Sequence, residues 1–154
     1  MSAPTLNGVK LDSMTGRCFL LDTNVLLHDA NALEVFDEHN IILTVDVLEE
    51  LDHFKKDKTE LGRNARHVIR KIDELRSSGA LKDGVVLPGG GMLFVLVDNY
   101  VDYLPRGMDG SIPDNRILAT GLYLIENKID LTFITKDINA RVKGDALGLK
   151  SEDL

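Results

Sequence analysis

Cys18-Phe19-Leu20-Leu21-Asp22-Thr23-Asn24 runs through four consecutive apolar side chains and turns polar at an acid. A strand with one wet face alternates apolar and polar residues; an unbroken apolar run marks a strand covered on both faces, as in a parallel sheet between helices. The same pattern returns at residues 41–45, 92–97 and 131–135, with a shorter candidate at 148–150. Helical periodicity fills the intervals at residues 25–38 (broken near Asp29), 47–54, 60–76, 113–126 and 138–147. Strands alternating with helices predict an α/β domain of three layers, α/β/α, with a mainly parallel central sheet of four to five strands.

The chain has 154 residues, which at roughly 100 to 200 per domain means one domain. Hydrophobic residues are 44% and charged residues 28%, so disordered, collagen-like and disulfide-scaffold classes are set aside. No apolar run approaches the ~20 residues that span a bilayer, and no apolar leader follows Met1, so a cytoplasmic protein without a membrane partner is expected. Cys18, the single cysteine, lies within an apolar run and reads as a buried thiol. Residues 1–16 contain Pro4, Asn7, Gly8 and Gly16 with little pattern and are expected to form a flexible N-terminal arm ahead of a domain at residues 17–154. Pro88-Gly89-Gly90-Gly91 makes a mobile or tightly turning approach to the third strand.

Parallel strands gather whatever follows their carboxyl ends along one edge, where open α/β sheets bind ligands. Each exit carries an acid: Asp22 after the first strand, Asp46, Glu49 and Glu50 after the second, Asp98 after the third, and Asp137 after the fourth. Asp114 opens the helix at 113–126. Each could simply cap a helix, and Asp46 with Glu49 and Ser111 with Asp114 have the spacing of capping boxes. On the wheel of the helix at 47–54, Val47, Leu48, Leu51 and Phe54 form the core stripe, leaving Glu49 opposite it and Glu50 at its border. Glu50 is therefore the better-placed ligand.

Collecting carboxylates at one edge costs Coulomb repulsion, which a cation removes. Oxygen donors without cysteine or clustered histidine select a hard ion such as Mg²⁺ or Mn²⁺, and two such ions about 4 Å apart serve in-line displacement at phosphorus. The net charge of −7, from 25 acids and 18 bases, otherwise repels nucleic acid.

Leu20-Leu21-Asp22-Thr23-Asn24-Val25-Leu26-Leu27, Glu49-Glu50-Leu51-Asp52, Asp114-Asn115-Arg116-Ile117-Leu118-Ala119 and Thr135-Lys136-Asp137-Ile138-Asn139, in this order, resemble PIN-domain nucleases. Gly62-Arg63-Asn64-Ala65-Arg66 looks most like the N-terminal PIN domain of PhoH-like ATPases. The resemblance covers about residues 17–154 and implies a metal-dependent endoribonuclease that hydrolyses single-stranded RNA with two ions, Mg²⁺ or Mn²⁺. It places the family's catalytic and metal-binding acids on Asp22, Glu50, Asp114 and Asp137. Thr135 matches the small hydroxyl residue that supports the site, and Asn139 falls where related nucleases sometimes carry a further acid. Thr135 and Asn139 join Arg63 and Arg66 as candidates for substrate contact, and Asn24 is expected to back the site from behind its ligands. PhoH-like proteins continue into a P-loop ATPase, but no G-x-x-x-x-G-K-[ST] occurs here, so a separately expressed domain or truncated relative is expected.

Arg63, Arg66 and Arg70 form a basic stripe opposite Leu61, Ala65, Val68, Ile72 and Leu75, suited either to RNA phosphates or to plain solvation. Tyr100 and Tyr103 are suited to base stacking or to packing. His28, His39, His53 and His67 lack zinc spacing, and Ser111 and Thr23 lack the partners of a hydrolase triad. Two other readings stand beside the nuclease. One is a haloacid-dehalogenase-type phosphatase, whose D-x-D start has Asn24 in place of its second acid. The other is a catalytically idle PIN module that places RNA or assembles with a P-loop ATPase. Assembly into a homo-oligomer is left open.

Overall fold

The computed structural model describes residues 14–154, together with the backbone of two short strands, β1 (Thr5–Leu6) and β2 (Val9–Lys10), which pair antiparallel. Most of the expected N-terminal arm lies outside the described residues. Its last part does not stand free: Met14 is buried, and the Thr15 carbonyl accepts a hydrogen bond from Asn40 at 2.7 Å.

The main elements follow as β3 (Arg17–Leu21), α1 (Thr23–His28), α2 (Ala32–Val35), β4 (Asn40–Thr44), α3 (Val45–Phe54), α4 (Glu60–Leu75), β5 (Val85–Val86), β6 (Met92–Leu96), α5 (Pro113–Glu126), β7 (Asp130–Ile134), α6 (Ile138–Ala146) and β8 (Lys150–Glu152). They build a six-stranded sheet in the order β5-β6-β4-β3-β7-β8. Five strands run parallel, and β5 closes one edge antiparallel to β6. The sheet thus has one strand beyond the four to five expected, because Val85-Val86 is too short for its pattern to register in sequence. The expected helix at 25–38 is two helices, since the chain leaves helical geometry at Asp29. Val45, expected to end a strand, begins α3 instead.

Connections from β3 to β4 to β6 step one way across the sheet, and those from β6 to β7 to β8 step the other way. Right-handed crossovers therefore put α1 to α4 on one face and α5 and α6 on the other. The uninterrupted runs are buried as their pattern requires: Leu20, Leu21, Ile41, Ile42, Leu43, Phe94 and Phe133 lie in the core. Burying each such side chain contributes about 1.5–3 kcal/mol. Cys18 is buried as well, and desolvation pushes its thiol up to about 11, so it is inert at neutral pH.

Two glycines allow close approaches. A Cβ at Gly62 would run into the Asp57 carbonyl, so α4 can pack on the loop before it only with glycine there. A Cβ at Gly91 would strike the backbone of His39, and the Gly91 N–H donates to the Asp37 carbonyl at 2.7 Å. The glycine-rich approach to β6 is thus a docked turn.

Candidate active site

The reversal of connection direction falls between β3 and β7, where an α/β sheet opens a crevice at its carboxyl edge. Asp22 lies there, its N–H donating to the Ile134 carbonyl at 2.9 Å. Its Oδ1 accepts from the Thr23 N–H at 2.8 Å and caps α1. Its Oδ2 accepts from Thr135 Oγ1 at 2.7 Å and from Asn24 Nδ2 at 3.2 Å. Asn24 Oδ1 in turn accepts from the Lys136 N–H at 2.8 Å, and Thr135 Oγ1 accepts from the Asp137 N–H at 3.1 Å. Asn24 and Thr135 therefore lock the exits of β3 and β7 together behind the Asp22 carboxylate. Burial raises the Asp22 pKa and the Thr135 hydrogen bond opposes this, while the charges of Asp114 and Asp137 raise it further.

Glu50 reaches the same crevice from α3, whereas Glu49 is exposed. Burial, followed by the charges of Asp22 and Asp114, pushes the Glu50 carboxyl up to about 7. The Thr23 hydroxyl is near enough to favour the ionised carboxylate slightly, yet it is not in hydrogen-bonding geometry: Glu50 Oε1 and Thr23 Oγ1 are both buried without a partner. Asp137 is exposed and caps α6, accepting from the Asn139 N–H at 2.9 Å, with Asn139 itself exposed. Asp114 and Asp137 are close enough for their charges to act on Asp22, and Asp22 and Asp114 close enough to act on Glu50. Among the described residues no three His, Cys, Asp or Glu side chains stand close enough together to hold a metal ion as they lie. The acids line an open edge, and the orphaned Glu50 oxygen with an all-oxygen donor set fits a hard divalent cation.

Neither expected capping box forms. Thr44 caps α3 by accepting from the Val47 N–H at 3.3 Å, because the helix starts earlier than its apolar pattern does. Asp46 instead points to α5, where Arg116 Nη2 lies 3.0 Å from its Oδ1. Ser111 turns to Asp109, donating from its hydroxyl at 2.6 Å and from its N–H at 2.9 Å. Helix α5 begins with Pro113 and has no side-chain cap, so Asp114 is not used in capping.

The other candidates lie outside this network. Arg63 is exposed on α4. Arg66 Nη1 donates to the carbonyls of Lys55 at 2.6 Å and Asp57 at 3.2 Å, and Asn64 Nδ2 donates to the Leu27 carbonyl at 2.6 Å. Arg66 thus fastens α4 to the end of α3, which carries Glu50, and Asn64 fastens it to the end of α1. Tyr100 stacks on Tyr123 with centroids 4.2 Å apart, and Tyr103 meets Tyr123 edge-on at 5.1 Å, so these rings pack on one another. Sequence reasoning missed Lys143, whose Nζ donates to Asn115 Oδ1 at 2.8 Å, and the Asp46–Arg116 pair. No local pattern marks pairs so far apart along the chain.

A mostly parallel sheet with helices on both faces and Asp22, Glu50, Asp114 and Asp137 near its carboxyl edge defines an α/β domain with an acidic crevice. The chain belongs to the PIN domain family, whose profile matches residues 19–154. PIN domains are typically phosphodiester-hydrolysing nucleases and generally use divalent metals. Over 144 residues the chain is 40% identical to "Protein PhoH2" of Bacillus subtilis (strain 168), covering 89% of this chain and 33% of that protein. It is 36% identical over 141 residues to "Protein PhoH2" of Mycolicibacterium smegmatis, covering 89% and 32% respectively. The chain thus spans about a third of the length of the curated relatives it matches. A domain of a functionally unknown protein from Methanocaldococcus jannaschii DSM 2661 shares the fold, with a TM-score of 0.55 and 17% identity over 90% of this chain and 91% of that one. Family membership displaces the phosphatase reading. Among the described residues no helix is long and apolar enough to cross a membrane.

Proposed function

We propose that residues 17–154 form a metal-dependent endoribonuclease domain that hydrolyses phosphodiesters in single-stranded RNA, with Asp22, Glu50, Asp114 and Asp137 holding Mg²⁺ or Mn²⁺. The observation that carries this reading is Glu50: a buried carboxylate oxygen without a partner, facing the charges of Asp22 and Asp114. Such a group is costly until a cation meets it. Bound divalent ions would supply an activated water and stabilise charge at the phosphate. The chain's own part is placement. Thr135 and Asn24 fix the Asp22 carboxylate, Asp137 is held at the start of α6, and Glu50 is presented by a helix whose end is fastened to α4 through Arg66. Exposed Arg63 supplies positive charge for the RNA backbone, and Asn139 extends the edge beside Asp137.

The remaining two thirds of the longer relatives, together with the resemblance to PhoH-like proteins, support a P-loop ATPase domain as the working partner. The open spacing of the acids favours a second reading, an idle module that places RNA for such a partner. One assay separates the two: unstructured RNA and matched single-stranded DNA incubated with Mg²⁺, Mn²⁺ or EDTA, alongside Asp22→Asn. RNA cleavage that needs the ion and is lost in the variant supports the nuclease. RNA binding without any cleavage supports the idle module.

A further inference from the structure

Asp46 stands in the first turn of α3, one turn before Glu50, and Arg116 in the first turn of α5, two residues after Asp114. The two helices lie on opposite faces of the sheet and touch only sparsely elsewhere. Arg116 Nη2 and Asp46 Oδ1, 3.0 Å apart, therefore close a bridge between the two helix layers over the carboxyl edge. Asp46 is buried, at 9% exposure, whereas the Arg116 side chain is 34% exposed with only its Nε buried and without a partner.

An ion pair with one buried and one partly exposed member is a modest source of stability, since desolvation of the carboxylate and screening of the guanidinium offset much of its attraction, and an apolar contact would hold two helices about as well. What charge adds is direction: a guanidinium meets a carboxylate at a defined distance and angle. The pair joins the two helices that carry Glu50 and Asp114, whose charges repel each other. We propose that Asp46–Arg116 is a positioning brace that ties the first turns of α3 and α5 together and so limits how far Glu50 and Asp114, carried on those helices, can move apart when a divalent cation binds between them. This inference rests on the nuclease reading of the site.

The test uses the whole chain and the variants Arg116→Gln, Asp46→Asn, the double variant and Arg116→Lys. A control, Lys71→Ala, removes another ion pair between helices, Lys71–Glu34 at 3.8 Å, which lies on α4 and α2 away from the acids. Thermal melting establishes that each variant is folded at the assay temperature, calorimetry gives Mn²⁺ affinity, and unstructured RNA in Mn²⁺ gives kcat and KM. Each single brace variant should lower Mn²⁺ affinity and kcat roughly 10–100-fold, the range for residues that orient metal ligands, with KM nearly unchanged. The double variant should be no worse than the weaker single, because both remove one interaction. Arg116→Lys should recover most of kcat, and Lys71→Ala should match the parent.

Mn²⁺ affinity unchanged in the single variants would overturn the brace, as would losses that multiply in the double variant or an equal loss in Lys71→Ala. A loss confined to KM would also overturn it and make Arg116 a phosphate contact. If the parent cleaves no RNA, the nuclease reading fails, and Mn²⁺ affinity alone decides the brace.

Discussion

The two ends of the central sheet are made from the same strands, yet they treat polar groups in opposite ways. At the amino end Asn40 is buried and satisfied, donating from Nδ2 to the Thr15 carbonyl at 2.7 Å, while Gly91 and Leu87 close the adjoining turn with N–H donors at 2.7 and 2.8 Å. At the carboxyl end stand all three buried side-chain atoms without partners among the described residues, Thr23 Oγ1, Glu50 Oε1 and Arg116 Nε. Folding normally pairs such groups, so an end that leaves them unpaired is arranged for something other than stability. The saturated end serves the fold, and the unsaturated end is the one that the proposed cation would complete.

The sharpest way to break this contrast is Asp22→Asn. Cleavage of RNA in Mn²⁺ should fall on the order of a thousandfold, equivalent to several kcal/mol of barrier. Binding measured in Ca²⁺ should hold or tighten, because a negative charge leaves the path of a polyanion. Full residual activity would place the chemistry elsewhere.

The mirror-image substitution is Asn40→Ala at the amino end. Losing the bond to Thr15 should cost about 1–2 kcal/mol in a urea titration while kcat stays at the parent value. A fall in kcat at constant stability would erase the distinction between the ends.

A smaller effect concerns pH. Glu50 has a folded pKa of about 7 against an ordinary 4.5, so between these values the metal-free folded state holds more protons than the unfolded chain. Stability must then fall as pH rises through that window. In EDTA the Tm at pH 5.5 should exceed that at pH 7.5 by roughly 2–4 °C, with Asp22 acting in the same direction. Glu50→Gln should remove most of this difference, and Mn²⁺ should reverse it by favouring the ionised carboxylates. Identical pH dependence in parent and Glu50→Gln would mean that the carboxyl end carries no electrostatic load.

The smallest effects divide the basic stripe of α4. Arg63→Ala should weaken RNA binding only a few-fold and reduce its salt slope by about one unit, leaving the maximal rate unchanged. Arg66→Ala should instead lower the melting temperature, since its guanidinium is held by the Lys55 and Asp57 carbonyls. Equal binding losses in both would return Arg66 to the substrate.

Much of this architecture was legible in the chain. Unbroken apolar runs imply burial on both faces, and the strands at Cys18, Ile41, Met92 and Leu131 follow wherever that pattern holds. The wheel separated Glu50 from Glu49 because a ten-residue helix has one core stripe, and position relative to that stripe decides which side chain turns inward. The same reasoning failed at Asp46 and Ser111. Capping boxes were inferred from spacing, but a cap depends on where the helix begins, and Thr44 and Pro113 moved both starting points. Gly62-Arg63-Asn64-Ala65-Arg66 was legible as a signature but not as a part. Only in the fold do Gly62, Asn64 and Arg66 become the contacts that fasten α4 beneath the site.

By itself, then, the sequence determined the class of fold, the direction of the strands and the edge on which the acids collect, because periodicity and chain direction are local properties that each segment carries with it. It also determined the kind of ion such a set of donors would prefer, since that follows from the atoms. Tertiary structure alone decided which acids cap helices, that Glu50 Oε1 is left without a partner, and that Arg116 crosses the sheet edge to Asp46. These depend on distances between segments remote in the chain, and burial, charge coupling and hydrogen-bond geometry come into being only when those segments meet.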